Sequence, residues 1–223
     1  MAIDTEFLKS IPYYSGLSSA ELNAISNLFF EKAADKGEII LLEGEPAEAL
    51  YFVVSGAVKL FKTSADGKEQ ILSIIRPGDS FNDVPIFDGG LSPVSTQAMT
   101  PVVLYGIKKK DLEVVLLDYP QIALNVIKVL AAQMRQLVSL VEDLSFKPVL
   151  GRVAKILLDS DGDNTAPRPR LTQQEMAAMA GTAREMIGRA LKALEEDGAI
   201  KLDRHRIVIT NTKALKEVAG LAA

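Results

Sequence analysis

Between residues 44 and 89 glycine recurs at almost fixed intervals: Gly44, Gly56, Gly67, Gly78 and Gly89 are 12, 11, 11 and 11 residues apart. The runs 39–42, 50–54, 58–62 and 71–75, followed by 102–107, are short, β-branched or aromatic, and bounded by Gly, Pro or Asp. Such segments read as strands. Turns this regular and this closely spaced restrict the region to a compact β-roll or barrel. Asp66-Gly67 is the clearest hairpin turn, since both residues tolerate positive φ. Ahead of the strands, Phe7, Leu8, Leu17, Leu22, Ile25, Leu28 and Phe29 recur at helical spacing. Ser18 and Ser19 stand where a helix N-cap belongs.

After Pro120 the pattern changes. No Pro or Gly occurs again until Pro148, and Ala123, Ile127, Leu130, Met134, Leu137, Val141 and Leu144 are spaced alternately by four and three. That is the a/d seam of a helix that pairs with another helix. A second stripe, Val126, Val129 and Leu140, can pack on the roll. The seam predicts a homodimer held by Ile127, Leu130, Met134, Leu137, Val141 and Leu144. Pro148 restricts the residue before it and can open a new helix. The chain is therefore expected to divide into a sensing β-roll at 1–117, a long dimerisation helix at 118–146 and a DNA-binding domain at 147–223. The polar stretch 159–169 reads as a loop.

The third region carries the chemistry. Thr172 and Glu175 have capping-box spacing, as do Thr182 and Glu185, with Gly181 between the two predicted helices. Ala177 and Ala178 keep the first helix thin, and Ile187, Leu191 and Leu194 give the second a buried stripe. Helix, glycine turn, helix is the layout in which the second helix enters the major groove. Its other face carries Arg184, Glu185, Gly188, Arg189 and Lys192. Arg presents a fork of donors that matches guanine O6 and N7, Glu can accept from cytosine N4, and Gly188 lets the helix sit close. Read alone, Glu185 and Arg189 would be an ordinary surface ion pair. Gly198 ends the helix, and 200–202 with 206–209 form a two-stranded wing. Arg204, His205 and Arg206 at its tip are placed to meet phosphates.

Charge and composition fit this division. From Lys147 onward there are 13 Lys and Arg against 10 Asp and Glu, a net of +3, whereas the preceding residues carry 12 against 19, a net of −7. No cysteine is present, which excludes disulfides, cysteine-ligated iron–sulfur clusters and zinc fingers. The one histidine, His205, lies in the wing, so a histidine-ligated metal or haem in the roll is not expected. The start of the chain lacks the form of a secretory signal, and its apolar runs read as too short to span a bilayer. A cytoplasmic protein with no metal, no cofactor and no membrane partner is the expectation. A metal-dependent enzyme resembling the cupins would need a cluster of His and Glu ligands, and the one His lies far from the roll. A ligand-sensing or scaffold module without DNA-binding activity remains the alternative, but it leaves the C-terminal third without a role.

The segment 50–59, Pro77-Gly78-Asp79, Gly151-Arg152 and above all 182–189 resemble the Crp/Fnr family across essentially the whole chain. The resemblance implies an α+β architecture: a cyclic-nucleotide-binding-type β-roll, a long dimer helix and a C-terminal winged helix-turn-helix. It implies a transcription regulator that works with RNA polymerase on double-stranded DNA. Thr182, Arg184, Glu185, Gly188, Arg189 and Lys192, with Arg204 and Arg206 of the wing, would contact a palindromic site with TGTGA-type half-sites. A small-molecule effector would bind near Asn82, Asp83, Val84, Pro93, Val94, Leu137 and Val138. Here the chain departs from the cyclic-AMP binders of the family. Pro93-Val94 stand where those members carry an Arg-Ser pair for the phosphate, and Leu137 and Val138 where they place hydroxyls against adenine. Proline and valine side chains donate no hydrogen bond, so the effector is expected not to be cyclic AMP. In the implied switch a hinge at Phe146, Lys147 and Pro148 reorients the recognition helices.

Overall fold

The computed structural model describes residues 3–161, 171–203 and 206–221. By contact the chain forms two compact units, 1–62 with 72–136, and 63–71 with 137–223.

In the first unit, α1 (Thr5–Ser10) leads into a 3-10 turn at Pro12–Tyr14 and then α2 (Ser19–Ser26). Ser18 caps α2 in a full capping box with Glu21, as the sequence suggested. The strands follow: β1 (Phe29–Ala34), β2 (Ile39–Leu41), β3 (Ala49–Ser55), β4 (Val58–Thr63), β5 (Glu69–Ile75) and β6 (Ser80–Phe81). Then come α3 (Asp83–Asp88), β7 (Ser95–Ala98), β8 (Val102–Lys108), α4 (Lys109–Asp118) and α5 (Pro120–Phe146). Two four-stranded sheets, ordered β1-β8-β3-β6 and β2-β7-β4-β5, form the roll.

Every strand read from the sequence is present. β1 is a correction, because Phe29 was grouped with the helical residues before it. Phe29–Ala34 instead pairs antiparallel with β8, Phe29 opposite Ile107 and Ala34 opposite Val102. Gly106 on β8 makes this close pairing possible, since a Cβ there would lie 2.4 Å from Phe30 Cζ.

Inside the sheets, Tyr51 stacks on Phe81 with ring centroids 5.3 Å apart, beside Val53, Val58 and Leu104. On the other side of β3, Leu50 and Phe52 pack with Tyr13, Tyr14, Leu22 and Ile25 of the N-terminal segment and with Ile122 and Val126 of α5. The second stripe of α5 thus packs in part as expected: Val126 is buried in this core and Val129 lies against it. Elsewhere around α5, Ile127, Met134, Leu137, Val138 and Val141 are at least half exposed. With 27 residues, α5 is also long and apolar enough to cross a bilayer by length and composition alone. Judging by unbroken apolar runs missed this, because its apolar residues are distributed around the helix rather than contiguous.

One buried polar cluster interrupts the first core. Asp83, at the start of α3, accepts hydrogen bonds from the Tyr13 hydroxyl and from Ser80 Oγ, the latter at 2.8 Å. Asn82, just before it, adopts the left-handed conformation at φ 73° and donates to the Ala49 carbonyl at 2.8 Å. Asn is among the few residues that enter this region readily. Burial raises the Asp83 carboxyl above the ordinary carboxylate range, although hydrogen bonds from Tyr13, Ser80 and Gln133 oppose the rise. A carboxyl shifted upward on folding contributes stability below its unfolded pKa and loses it as pH rises through the folded value. Asn at this position keeps the acceptor and cannot ionise. Asp83→Asn is therefore expected to raise the thermal midpoint at mildly alkaline pH, with the gain shrinking as pH falls to about 4; melting curves across that range check it. A gain independent of pH would refute it.

Candidate nucleic-acid interface

The second unit is built on α6 (Val149–Asp161), α7 (Gln173–Ala180), α8 (Arg184–Glu196), the strands β9 (Ile200–Asp203) and β10 (Arg206–Ile209), and α9 (Thr212–Val218). α6 runs on to Asp161 and so takes in the first three residues of the stretch read as a loop. Its core joins Val153, Ala154 and Leu157 of α6 to Met176 and Ala177 of α7, Ile187, Leu191 and Leu194 of α8, and Leu215 of α9.

The Thr172–Glu175 capping box is present, with Thr172 N donating to Glu175 Oε2 at 2.6 Å and Glu175 N to Thr172 Oγ1 at 3.1 Å. Gly181 ends α7 in the left-handed region at φ 60°. A Cβ at Gly181 would also lie 2.8 Å from Leu144 Cδ2, so this turn requires glycine both for its backbone and for close approach. The second capping box is not formed. α8 begins at Arg184 with Ala183 as its N-cap and no side-chain cap. The chain stays extended through Ala183, so Thr182 lies outside the capping position; its amide bonds instead to the Ala177 carbonyl at 3.1 Å. The amides of the first turn of α8 are left without a side-chain acceptor.

α8 buries Ile187, Ala190, Leu191 and Leu194. Arg184, Glu185, Arg189 and Lys192 are exposed, and Thr182 and Gly188 are half-buried. The spacing 184, 185, 188, 189, 192 sets these residues along one side of the helix. Glu185 and Arg189 do not pair with each other. Lys192 lies 3.7 Å from Glu196, whereas Arg184, Glu185 and Arg189 have no hydrogen-bond or ion-pair partner among the described residues. A Cβ on Gly188 would meet nothing within 4 Å, so nothing in the unit's own packing calls for glycine there.

β9 and β10 pair antiparallel with Arg206 opposite Asp203. Glu195 steadies this wing by accepting from Leu202 N at 2.6 Å, and Arg206 is exposed. Arg204 and His205 lie outside the described residues. Arg152 was noted in the sequence without a role. Its Nε donates to the Ala180 carbonyl and its Nη1 to the Lys147 carbonyl, both at 2.7 Å, tying the end of α7 to the end of α5.

The residues considered for an effector lie on three separate segments. Asn82, Asp83 and Val84 open α3, and Pro93 and Val94 precede β7. Asp83 is buried and engaged as described above, while Val84 is half exposed. Leu137 and Val138 stand on the part of α5 that clusters with the second unit.

Residues 31–119 match the cyclic nucleotide-binding domain, and residues 151–218 match the Crp-like helix-turn-helix domain. The chain is 31% identical over 216 residues to the cyclic AMP receptor protein of Thermus thermophilus, covering 96% of this chain and 100% of that protein. It is 30% identical over 217 residues to the CRP-like cAMP-activated global transcriptional regulator of Mycobacterium tuberculosis, covering 94% and 97% respectively. Among solved structures it is similar to FixK2 of Bradyrhizobium japonicum, with a TM-score of 0.77 at 28% identity, covering 87% of this chain and 99% of that one. With a nucleotide-binding-type roll ahead of a winged helix-turn-helix, and with these relatives along nearly its whole length, the chain belongs to the Crp/Fnr family of DNA-binding transcription regulators.

Proposed function

We propose that this chain acts as a homodimer that reads a two-fold symmetric DNA site through α8, under the control of an effector other than cyclic AMP. The observation that carries the DNA reading is the outward side of α8. Arg184, Glu185 and Arg189 are exposed and unpaired there, around a glycine that the fold does not need. Unpaired polar side chains on a rigid helix are what base edges in the major groove can satisfy. The uncapped start of α8, at Thr182 and Ala183, offers amides to a backbone phosphate. Lys192 and Arg206 add positive charge for neighbouring phosphates.

The dimer reading rests on the exposed side of α5. Ile127, Met134, Leu137 and Val141 follow one another at seven, three and four residues along it, each at least half exposed. Leu130 and Leu144 are partly covered within their own units and flank the same seam. A second copy of α5 is the natural cover for a seam of this period. The roll at 1–117 would then sense, the helix at 118–146 would pair, and 147–223 would bind DNA and present the complex to RNA polymerase.

The effector reading rests on the roll. Asp83 is already satisfied by Tyr13 and Ser80. Pro93 and Val94 bring no side-chain donor to a phosphate. Titration calorimetry with cyclic AMP is expected to show no binding up to about 1 mM. A micromolar dissociation constant would overturn this part of the reading and align the chain with the two curated relatives whose names refer to cyclic AMP.

Selection from a random DNA pool by the purified chain tests the central reading. A palindrome is expected, with half-site centres about 34 Å apart. Arg184→Ala and Arg189→Ala should each cost roughly 1–3 kcal/mol on that site and relax the preference at one base position. Unchanged affinity and preference in both variants would favour a scaffold role instead. Gly188→Ala should separate fold from function. It is expected to stabilise the unit by about 0.5–1 kcal/mol, as for a helical glycine whose added Cβ meets no neighbour, while weakening binding to the selected site. Denaturant titration and fluorescence anisotropy report the two effects, and a variant that binds as well as wild type would remove the close approach from the account.

A further inference from the structure

The break at Lys147-Pro148 suggests a joint, but the side chains around it form a lock. Asp143, in the last turns of α5, is 8% exposed. One carboxylate oxygen, Oδ1, lies 2.9 Å from Lys147 Nζ at the end of the same helix. The other, Oδ2, accepts from Lys155 Nζ on α6. Lys155 also donates to Ser139 Oγ, one turn earlier on α5, at 3.0 Å. A single ammonium on α6 is thereby held by two successive turns of α5, on the far side of the proline.

The surroundings favour ion pairing. The Asp143, Lys147 and Lys155 side chains are 11%, 22% and 23% exposed, so solvent screens them weakly. Burial alone would raise the Asp143 carboxyl, but the hydrogen bonds and positive charge of Lys155 and Lys147 outweigh it and hold it below the ordinary carboxylate range. It is therefore ionised at neutral pH. Two further ties lie alongside: Arg152 bridges the Lys147 and Ala180 carbonyls, and Leu144 fills the space left by Gly181. α5 after Leu137, α6 and the turn before α8 accordingly fall into one compact unit.

We infer that Asp143 and Lys155 are positioning residues that fuse the end of α5, from Leu137 onward, to α6 and the DNA-binding unit, so that in this conformation the recognition helix keeps a fixed orientation to that segment. The inference rests on the DNA-reading role of α8. Its consequence is strict half-site spacing: a rigid pair of recognition helices tolerates little change, and each added base pair turns one half-site by roughly 34° relative to the other.

The test uses the full chain with Asp143→Asn, Lys155→Met, the two combined, and Lys155→Arg. Hydrogen exchange of the amides at 144–152 is measured by mass spectrometry, together with affinity for the selected site and for the same site with one base pair inserted. Asp143→Asn and Lys155→Met should each speed local exchange by about tenfold, within the usual range of a coupling between sites. The combination should add little to either, since both break one lock, and Lys155→Arg should behave as wild type. The preference for correct spacing should fall in the two disrupted variants. Wild-type exchange in a folded Asp143→Asn chain would overturn the lock, and so would faster exchange spread over the whole unit. Local loosening with unchanged spacing preference would overturn the positioning role. If the wild-type chain selects no DNA sequence, the regulator reading fails, and the exchange measurement still decides whether the joint is locked.

Discussion

α5 has two apolar sides, and the chain on which it lies covers only one. Ile122 and Val126 are buried against the N-terminal segment and β3, whereas Ile127, Met134, Leu137, Val138 and Val141 face away from their own core. Bringing five such side chains on each of two helices from half exposure to full burial is worth on the order of 10 kcal/mol. Losing the freedom of two separate chains costs about 4–15 kcal/mol. The two quantities are comparable, so the seam can hold a dimer but has little excess. Any change in how the two helices meet would then alter assembly and DNA reading together, which is the property a switch requires.

The fold was legible where one local pattern sufficed. The strands at 50–54 and 58–62 and the turn at Gly67 follow from β-branched and aromatic composition and turn chemistry, and α5 from its period. β1 and β7 were missed for different reasons. Phe29–Ala34 carries Glu31 and Lys32 in its middle, and its apolar residues continue the helical spacing of Leu22 and Ile25. Ser95–Ala98 is mostly polar, yet Thr96 is buried by its sheet neighbours. In both, tertiary pairing overrides local preference. Thr182 and Glu185 failed differently: the spacing of a capping box was present, but the left-handed turn at Gly181 delays the helix by one residue.

The site divides along the same line. The exposed side of α8 could be read from spacing, because a helix fixes which residues share a side. Asp83 with Tyr13, and Asp143 with Lys155, could not. The first pair is separated by 70 residues and the second straddles a proline. No local signal announces a carboxylate that the fold will bury, and only the assembled core shows which donors reach it.

Whether a polar group is already satisfied distinguishes the parts of this protein more sharply than residue type does. Asp83, Asp143, Arg152 and Lys155 are charged or ionisable, yet each is matched by groups of its own chain and so acts on structure. Arg184, Glu185 and Arg189 have equal capacity and no partner among the described residues. They lie on a helix of the same unit as Asp143, Arg152 and Lys155. An unpaired arginine on a mobile element would gain little from DNA, because ordering it would offset the contact. Held by α6 and by the turn at Gly181, the same side chain would meet a base with less of that loss. The internal ion pairs and the outward unpaired groups are thus two parts of one arrangement, the first removing the freedom that the second would otherwise have to surrender on binding.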